Sequence, residues 1–509
     1  MKPRHVAISL VVFALLAAAC APTPTSDPVS VIQAYHAAVN DKDAARAVAL
    51  FADDGVLYDP FGAYAGPEQI RFRLAYLFDA GVTFEISNVQ ADGESVTWEQ
   101  IVRENGEPIH TGPSHAIVRA GKIVSLGNAP ELKPTLAATQ LPAETTDPWG
   151  VVVVPKGSPI LIAVADDPGT GFGAGVHLGA QLGAADFGKD IAPGFDLELV
   201  FIEDHATPGF TGLAEAVVAD PRVVGIVGTL FSSTFMRQSE ILEQAHVVSI
   251  SPSSTAPEVT ARGLATLNRT ALNDTFQSRA AAEFVLKQLG FTTAAVIYDE
   301  GPYGRGLGEG FKAAFEAGGG TVVNFELRPA GQNEFGEILN RIALGRPQMI
   351  YYAGSPGPAA ALAAQKNEAG LGDMSLMGAD GILGQQYVEL AGANSEGTYA
   401  SLGSTPSGAG YEAFVEKYAA AGGAVGDIAY APHAYDAVGI LAQAIKSVAT
   451  VNSAGHLEIG RQALANVVRA TQGYAGLTGD ITFDANGDRL SGAITIYQVQ
   501  QGQWVQVSP

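Results

Sequence analysis

Two apolar runs, Val223-Val-Gly-Ile-Val-Gly228 and Val247-Val-Ser-Ile250, decide the fold of the larger part of this chain. The first run is followed by Thr229-Leu-Phe-Ser-Ser-Thr234 and a stretch of helical pattern, and the second by Ser251-Pro-Ser-Ser-Thr-Ala-Pro257. Short continuous apolar runs are typical of parallel strands that are buried on both faces. Two such strands with a helix between them predict a βαβ unit.

The same alternation continues on both sides of this unit. Further strands are predicted at Ile160–Ala165, Leu197–Ile202, Thr293–Tyr298, Thr321–Phe325 and Met349–Tyr352, and helices at Val176–Phe187, Ser278–Leu289 and Gly306–Ala317. Strands that alternate with helices predict an α/β fold with doubly wound parallel sheets. Because about 350 residues exceed one such sheet, we expect two lobes with a cleft between them.

A Pro-rich stretch at residues 129–158 separates this part from a smaller one at residues 28–128. Its prolines and the Thr, Ala and Glu between them predict an extended linker. The smaller part begins with a helical pattern in which Val31, Ile32, Tyr35 and Val39 share one face. A helix is expected to end at Phe51-Ala-Asp-Asp-Gly55, and period-two strands follow from Val82 onward. Helices followed by a curved antiparallel sheet predict an α+β cone.

The smaller part resembles the SnoaL-like (NTF2-like) superfamily. The resemblance rests on Ala49-Leu-Phe-Ala-Asp-Asp-Gly-Val-Leu-Tyr-Asp-Pro60, Gly66-Pro-Glu-Gln-Ile70 and Gly121-Lys-Ile-Val124. It implies either isomerase- or hydratase-like chemistry in the cone or a non-catalytic module for ligand binding or dimerisation. The candidate residues for acid–base work are Tyr58, Asp59, Trp98, His110 and His115. The alternative is that Asp59 caps a turn, Trp98 packs in the sheet and the histidines lie on a solvated strand.

The N-terminus carries a targeting signal. Lys2 and Arg4 precede an apolar run from Val6 to Ala19, which is too short to span a membrane and indicates a signal peptide at residues 1–19. Cys20 follows three alanines, as in the bacterial lipobox that this stretch resembles. The resemblance implies that Cys20 is lipidated and anchors an extracytoplasmic protein to the cell membrane, in the periplasm or at the cell surface, through a tether at residues 20–27.

Composition excludes several classes of partner and cofactor. The 29 Lys and Arg against 52 Asp and Glu give a net charge of −23, which disfavours nucleic acid as a partner. The single Cys and nine scattered His suggest no metal site. The glycines of Gly169-Thr-Gly-Phe-Gly-Ala174 fit a dinucleotide motif, but Asp166-Asp-Pro168 places carboxylates where a pyrophosphate would bind. No cofactor is therefore predicted.

Hydroxyl-rich turns follow the two strands that open this section. The carboxyl ends of neighbouring parallel strands are where doubly wound sheets bind ligands. Runs of Ser and Thr there, with the free N–H groups of a helix N-terminus, suit a small anion such as a carboxylate. Ordinary helix capping is the alternative. Two acids, Asp299 and Asp380, and the aromatic Tyr303 follow strands of the other lobe, where an acid could pair with a ligand ammonium.

At residues 159–509 the chain resembles the leucine/isoleucine/valine-type substrate-binding proteins of ABC importers, which have a type I periplasmic binding protein fold. The resemblance rests on Ser251–Gly263 with Asn268-Arg-Thr270, on the spacing of Ser232, Thr255 and Tyr303, and on the tail Gly476–Asp488. It implies a lobe I at about residues 159–273 and 404–482 and a lobe II at about residues 274–403 and 483–509. It also implies a set of ligand-binding residues: Phe172, Ser232, Ser253, Ser254, Thr255, Tyr303 and Asp380.

The resemblance implies a non-enzymatic protein that captures a branched-chain or related small α-amino acid and delivers it to the membrane permease of an ABC transporter. The ligand carboxylate would bind Ser232 and Thr255, and its ammonium would bind Tyr303 and Asp380. The chain has Ser355 where the family carries a second tyrosine, which leaves the preferred ligand side chain open. An enzyme acting in the cone and a ligand-sensing receptor module are the rival hypotheses.

Overall fold

The architecture follows a computed structural model that describes residues 27–59, 62–79, 81–104, 106–127, 143–167, 170–205, 210–403, 408–424 and 428–508. The chain divides near Asn128 into two compact units. The signal peptide, Cys20, the tether up to residue 26 and residues 128–142 lie outside the described residues. No helix in the described ranges is both long and apolar enough to cross a membrane.

The first unit is a helix-covered sheet, as the sequence predicted. Its elements are α1 (Pro28–Asn40), α2 (Ala44–Val48), β1 (Phe51–Asp59), β2 (Gly62–Ala65), α3 (Gly66–Asp79), β3 (Val82–Asp92), β4 (Ser95–Glu104), β5 (Glu107–Arg119) and β6 (Lys122–Leu126). The strand order is β2-β1-β6-β5-β4-β3, and β1 lies parallel to β6 while β3 to β6 form an antiparallel meander. The apolar face of α1 packs into the core of this unit.

One prediction for the first unit is wrong. Phe51 does not end a helix but begins strand β1, where it pairs with Ile123 of β6 and is buried. The register shifts between Phe51 and Val56, so an irregularity takes up the polar Asp53 and its neighbours. Pairing with a strand that is distant in sequence thus outweighs the helical pattern of the preceding residues.

The second unit carries the α/β alternation. Its elements as far as the last strand of the first sheet are β7 (Val151–Val154), β8 (Ile160–Asp166), α4 (Gly171–Phe187), β9 (Leu197–Glu203), α5 (Gly212–Ala219), β10 (Val223–Val227), α6 (Ser232–Gln244), β11 (Val248–Ser251), α7 (Glu258–Ala261) and β12 (Leu267–Arg269). The five strands β12-β11-β10-β8-β9 lie in this order and are all parallel. We call this sheet and its helices the first lobe.

The second lobe contains a larger sheet. Its elements are α8 (Asp274–Lys287), β13 (Thr293–Asp299), α9 (Pro302–Ala317), β14 (Thr321–Arg328), α10 (Gly336–Gly345), β15 (Met349–Ala353), α11 (Pro356–Glu368), β16 (Ser375–Gly378), a 3₁₀ helix (Asp380–Ile382), α12 (Gln385–Ala391), a second 3₁₀ helix (Gly392–Ser395) and β17 (Tyr399–Gly403). Strands β14-β13-β15-β16-β17 are parallel, as predicted.

The chain then returns to the first lobe and crosses once more. The remaining elements are α13 (Ala409–Ala420), α14 (Ala431–Val448), β18 (Thr450–Val451), β19 (Leu457–Gly460), α15 (Arg461–Arg469), β20 (Tyr474–Gly476), β21 (Gly479–Ile481), β22 (Ile494–Gln500) and β23 (Gln503–Ser508). Helix α14 packs on α4 in the core of the first lobe. Strands β22 and β23 extend the second sheet in antiparallel fashion beyond β17.

The end of the predicted linker belongs to the folded second unit. Strand β7 pairs antiparallel with β19, and the buried Glu458 carboxylate accepts hydrogen bonds from the backbone N–H groups of Glu144 and Thr145 at 2.6 and 2.7 Å. Burial opposes the ionised form, but these bonds and those from the Thr145 hydroxyl and Asn452 together lower the pKa of Glu458 to about 2. The expectation that residues 129–158 form one extended linker is therefore wrong for the described part after residue 142.

Both lobes have the same strand order. In sequence order within each lobe, the parallel strands are arranged 2-1-3-4-5, so the winding reverses between β8 and β10 in the first lobe and between β13 and β15 in the second. The carboxyl ends of strands at such a reversal form a crevice where open α/β sheets bind ligands. The loops after β8, β10, β13 and β15 are therefore the places to look for a functional site.

Candidate functional site

The first hydroxyl turn follows β10 and leads into α6. Ser232 is the first residue of this helix and is buried, and its Oγ accepts a hydrogen bond from the backbone N–H of Ala256 at 3.2 Å. This bond joins the first hydroxyl turn to the second one, after β11. Ser232 thus lies where an N-terminal helical turn and a neighbouring loop meet, a setting that favours an anion.

Serines of the second turn bind backbone carbonyls of the first. Ser253 Oγ donates to the carbonyl of Leu230 at 2.8 Å, and Ser254 Oγ donates to that of Thr229 at 3.2 Å. Both serines are buried. Their hydroxyls therefore hold the two turns together. Ligand contact by these two side chains, which the family resemblance implies, stays a prediction.

A buried guanidinium lies behind the second turn. Arg269 Nη1 donates to the carbonyls of Ser254 and Ala256 at 3.0 and 2.8 Å, and its Nε pairs with Asp488. Asp488 also accepts a hydrogen bond from Thr260 at 2.9 Å. The turn is thus fixed from behind by a charged pair.

Asp380 accepts three side-chain hydrogen bonds. It begins a 3₁₀ helix just after β16, where Tyr303 Oη donates to Oδ1 at 3.0 Å and Gln277 donates to the same oxygen. Tyr430, at the start of α14 in the first lobe, donates to Oδ2 at 2.6 Å. Burial raises the pKa of Asp380, and these hydrogen bonds oppose the rise. Tyr303 itself accepts from the backbone N–H of Gly381 at 2.8 Å.

A second acid, Asp274, lies beside Asp380. It is fully buried at the start of α8, and its backbone N–H donates to the carbonyl of Thr255 at 2.9 Å. Burial and the charge of Asp380 raise the pKa of Asp274 well above its ordinary value. The Thr255 hydroxyl is near enough to oppose this rise, but neither it nor the carboxylate oxygens of Asp274 have a partner in hydrogen-bond geometry among the described residues.

Aromatic rings border this cluster on the first lobe. Phe172, near the start of α4, packs edge-on against Phe231 and Tyr430, with ring centroids 5.4 and 6.0 Å apart. Phe231 directly precedes Ser232, and Tyr430 reaches Asp380. The structure therefore connects the hydroxyl turns, the aromatic residues and the acids through a continuous series of contacts. The sequence analysis missed Asp274, Gln277 and Tyr430.

Asp299 and Ser355 have a different role. Asp299 pairs with the buried Arg328 and accepts from Tyr352 Oη at 2.5 Å. Its other oxygen accepts from the backbone N–H and the hydroxyl of Ser355 at 3.1 and 3.2 Å. Asp299, one of two acids considered for a ligand ammonium, is therefore saturated by the protein. Asp380 is the acid that the structure connects to the first lobe.

The structure separates the candidates in the SnoaL-like part. Trp98 is buried in the core, whereas His110 and His115 are exposed on β5. Trp98 pairs with Ser114 across the sheet, so His115, the next residue, points to the opposite face. Tyr58 is half-buried, and the side chain of Asp59 lies outside the described residues. Trp98 and His115 therefore cannot belong to one acid–base cluster on a single face of the sheet.

No group of three or more His, Cys, Asp or Glu side chains within the described ranges could hold a metal ion. The chemistry at the interlobe cluster is that of a receptor for a polar molecule. The carboxyl oxygens of Asp274 and Asp380 can accept hydrogen bonds from a cation, and the hydroxyl turns at a helix N-terminus suit an anion.

The chain is similar to several known proteins. Residues 164–503 match the sequence profile described as periplasmic binding protein, and residues 32–126 match that described as SnoaL-like domain. Leu/Ile/Val-binding protein homolog 3 of Brucella melitensis is 29% identical over 244 residues, which cover 47% of this chain and 65% of that protein. Leu/Ile/Val-binding protein BraC3 of Rhizobium johnstonii is 27% identical over 353 residues, covering 68% of this chain and 92% of that protein.

Solved structures share the two-lobed fold. The leucine binding protein LivK of Thermotoga maritima superposes with a TM-score of 0.62 at 25% identity, covering 69% of this chain and 98% of that one. The match thus accounts for nearly all of that neighbour and for about two thirds of this chain.

Proposed function

This chain belongs to the periplasmic binding protein family and carries a SnoaL-like domain ahead of its two lobes, and on that premise we propose that it captures an amino acid for an ABC importer. The ligand is a branched-chain or related small α-amino acid, in keeping with the printed names of the Brucella and Rhizobium relatives. The protein works outside the cytoplasm, anchored to the membrane, and delivers its ligand to the importer's permease without enzymatic chemistry.

The observation that carries the proposal is the pair Asp274 and Asp380 opposite the hydroxyl turns. An α-amino acid has a carboxylate and an ammonium on one carbon, so its receptor needs an anion site and a cation site a few ångströms apart. Ser232 and the N-terminal turn of α6 supply the first, and the two acids supply the second. Thr255 lies between them with a hydroxyl that can both donate and accept.

The side chain of the ligand is proposed to lie against Phe172 and Phe231. Both rings are half-buried next to Ser232, so they offer an apolar wall to a substituent on the α-carbon. Ser355 binds Asp299 through its hydroxyl and contributes no ring from the second lobe. An apolar wall on one side favours an uncharged ligand side chain.

Isothermal titration calorimetry of the processed chain with the twenty amino acids tests this function. We expect micromolar or tighter binding of at least one apolar L-amino acid and no binding of its amide, because the amide lacks the carboxylate that the hydroxyl turns recognise. Mass spectrometry of the purified protein should find the same ligand. Equal binding of the amide, or no amino acid bound at millimolar concentration, would contradict the proposal.

We also propose that Cys20 is the lipidation site. In a bacterial host, the full chain should partition with the membrane fraction and carry a mass increase on the peptide that begins at Cys20. The variant Cys20→Ala should appear in the soluble fraction, because a domain without acyl chains has no anchor. A matched Ser26→Ala variant in the tether should stay with the membrane. Membrane association of Cys20→Ala equal to that of the wild type would disprove lipid anchoring at this residue.

A further inference from the structure

A buried carboxylate lies under the first hydroxyl turn, away from the interlobe acids. Asp204 directly follows β9 and has no exposed surface. Its Oδ2 accepts a hydrogen bond from the backbone N–H of Leu230 at 2.7 Å, and its Oδ1 accepts one from Gln238 Nε2 at 2.9 Å. Leu230 lies two residues ahead of Ser232, and Gln238 lies on the buried face of α6.

The orientation of Gln238 is fixed by a third group. Its Oε1 accepts a hydrogen bond from the backbone N–H of Ala214 in α5 at 2.9 Å, so its amide nitrogen must face Asp204. Asp204 therefore has to be an acceptor at both oxygens. An amide at this position would oppose one donor with another.

The backbone N–H and the backbone carbonyl of Leu230 both have hydrogen-bond partners. Its N–H is bound by Asp204, and its carbonyl accepts from Ser253 Oγ at 2.8 Å. This fixes the chain just before α6 against the second hydroxyl turn. Ser232 begins the helix two residues after Leu230, so the position of its hydroxyl depends on that arrangement.

We propose that Asp204 is a positioning residue that sets the anion-binding turn at the start of α6 for the ligand carboxylate. This inference rests on the proposed amino-acid binding and adds a residue that does not touch the ligand. Burial raises the pKa of Asp204 to about 6 in spite of its hydrogen bonds, so the ionised group destabilises the folded state at neutral pH. A role in function, rather than in stability, explains the presence of an acid at this position.

Calorimetry of three proteins with the same amino acid tests the proposal. The variant Asp204→Asn should weaken binding about tenfold. Its amide N–H₂ would then face a hydrogen-bond donor, either the backbone N–H of Leu230 or the amide N–H₂ of Gln238. The double variant Asp204→Asn/Gln238→Glu restores every partner: the Asn carbonyl accepts from Leu230, the Asn amide donates to Glu, and Glu accepts from Ala214. It should bind within about threefold of the wild type.

Circular dichroism and thermal unfolding test whether each of the three proteins is folded. Should Asp204→Asn not fold, the double variant alone decides, since recovery of wild-type affinity requires the hydrogen-bond arrangement proposed here. Wild-type affinity in Asp204→Asn, or a double variant as weak as the single one, would overturn the positioning role. Absence of binding by the wild type would overturn the proposed function itself and this inference with it.

Discussion

Replacing Asp380 by Asn is expected to weaken amino-acid binding by at least about 100-fold. In the proposed complex this carboxylate neutralises the ligand ammonium inside the closed lobes. Removing one partner of a buried ion pair leaves the other charge uncompensated and costs about 3–5 kcal/mol. The hydrogen bonds from Tyr303, Gln277 and Tyr430 also lose their charged acceptor. Calorimetry with the ligand found for the wild type measures the change in Kd.

The matched control is Glu368→Gln, an acid exposed at the end of α11 in the same lobe. It makes the same change in net charge without touching the interlobe cluster, so its Kd should stay within about twofold of the wild-type value. Both variants should show the wild-type far-ultraviolet circular dichroism spectrum. If Asp380→Asn bound the amino acid as tightly as Glu368→Gln does, Asp380 would have no part in recognising the ammonium.

Tyr430 contacts the two lobes through different parts of its side chain. The phenol is the hydrogen-bond donor from the first lobe to Asp380, whereas the ring packs on Phe172. The two lobes are thus joined through a residue whose apolar part belongs to one lobe and whose polar tip reaches the other. An amphipathic aromatic side chain is well suited to such a junction.

The sequence was sufficient to predict the parallel sheets and most of their strands, but not the strand order. Runs such as Ile160–Ala165 and Val223–Val227 are apolar throughout because both faces of each strand are covered by helices. Strand β7 was missed for the opposite reason. It is four residues long, lies among prolines, and pairs with β19 about 300 residues later, so its partner cannot be found from local pattern.

The candidate site was predictable in part. Tyr303 and Asp380 follow strands at the reversal of winding or next to it, and the structure brings them into one hydrogen-bonded cluster. Asp274 was missed because it begins a helix, where an acid is ordinarily a favourable first-turn residue. Asp204 was not predicted as a functional residue. Its burial and its bonds to Leu230 and Gln238 depend on packing between helices that no sequence pattern reports.

Binding of the amino acid is expected to release a proton and to become tighter as the pH rises through the range in which the two buried acids lose a shared proton. Burial raises the pKa values of both Asp274 and Asp380, and that of Asp274 is raised further by the charge of its neighbour. Two such acids share a proton, because two adjacent negative charges are unfavourable in a buried site. A ligand ammonium compensates both charges, so it competes with that proton.

The sign follows from linkage. The pair has a lower pKa in the complex than in the free protein, because the ligand ammonium favours the ionised form. Between these two pKa values, each proton displaced on binding lowers log Kd by up to one unit for every unit of pH increase. Tyr303, Tyr351 and Tyr430 face the pair, but their pKa values are raised by burial and they stay protonated. The charge of Arg269 opposes the rise at Asp274 without removing it.

Titration calorimetry in phosphate and in Tris at about pH 7 measures the proton directly, since the apparent enthalpies differ by the released protons multiplied by the difference in buffer ionisation enthalpy. Asp204, whose pKa is about 6, is a second group that titrates in this range. The variant Asp274→Asn separates the two, because it removes the shared proton and leaves Asp204 in place. It should bind more weakly than the wild type at pH values where the wild-type pair is ionised, and it should lose most of the pH dependence. Equal enthalpies in both buffers, with wild-type binding intact, would mean that the pair releases no proton when the ligand binds, and would contradict the competition between the ammonium and a shared proton.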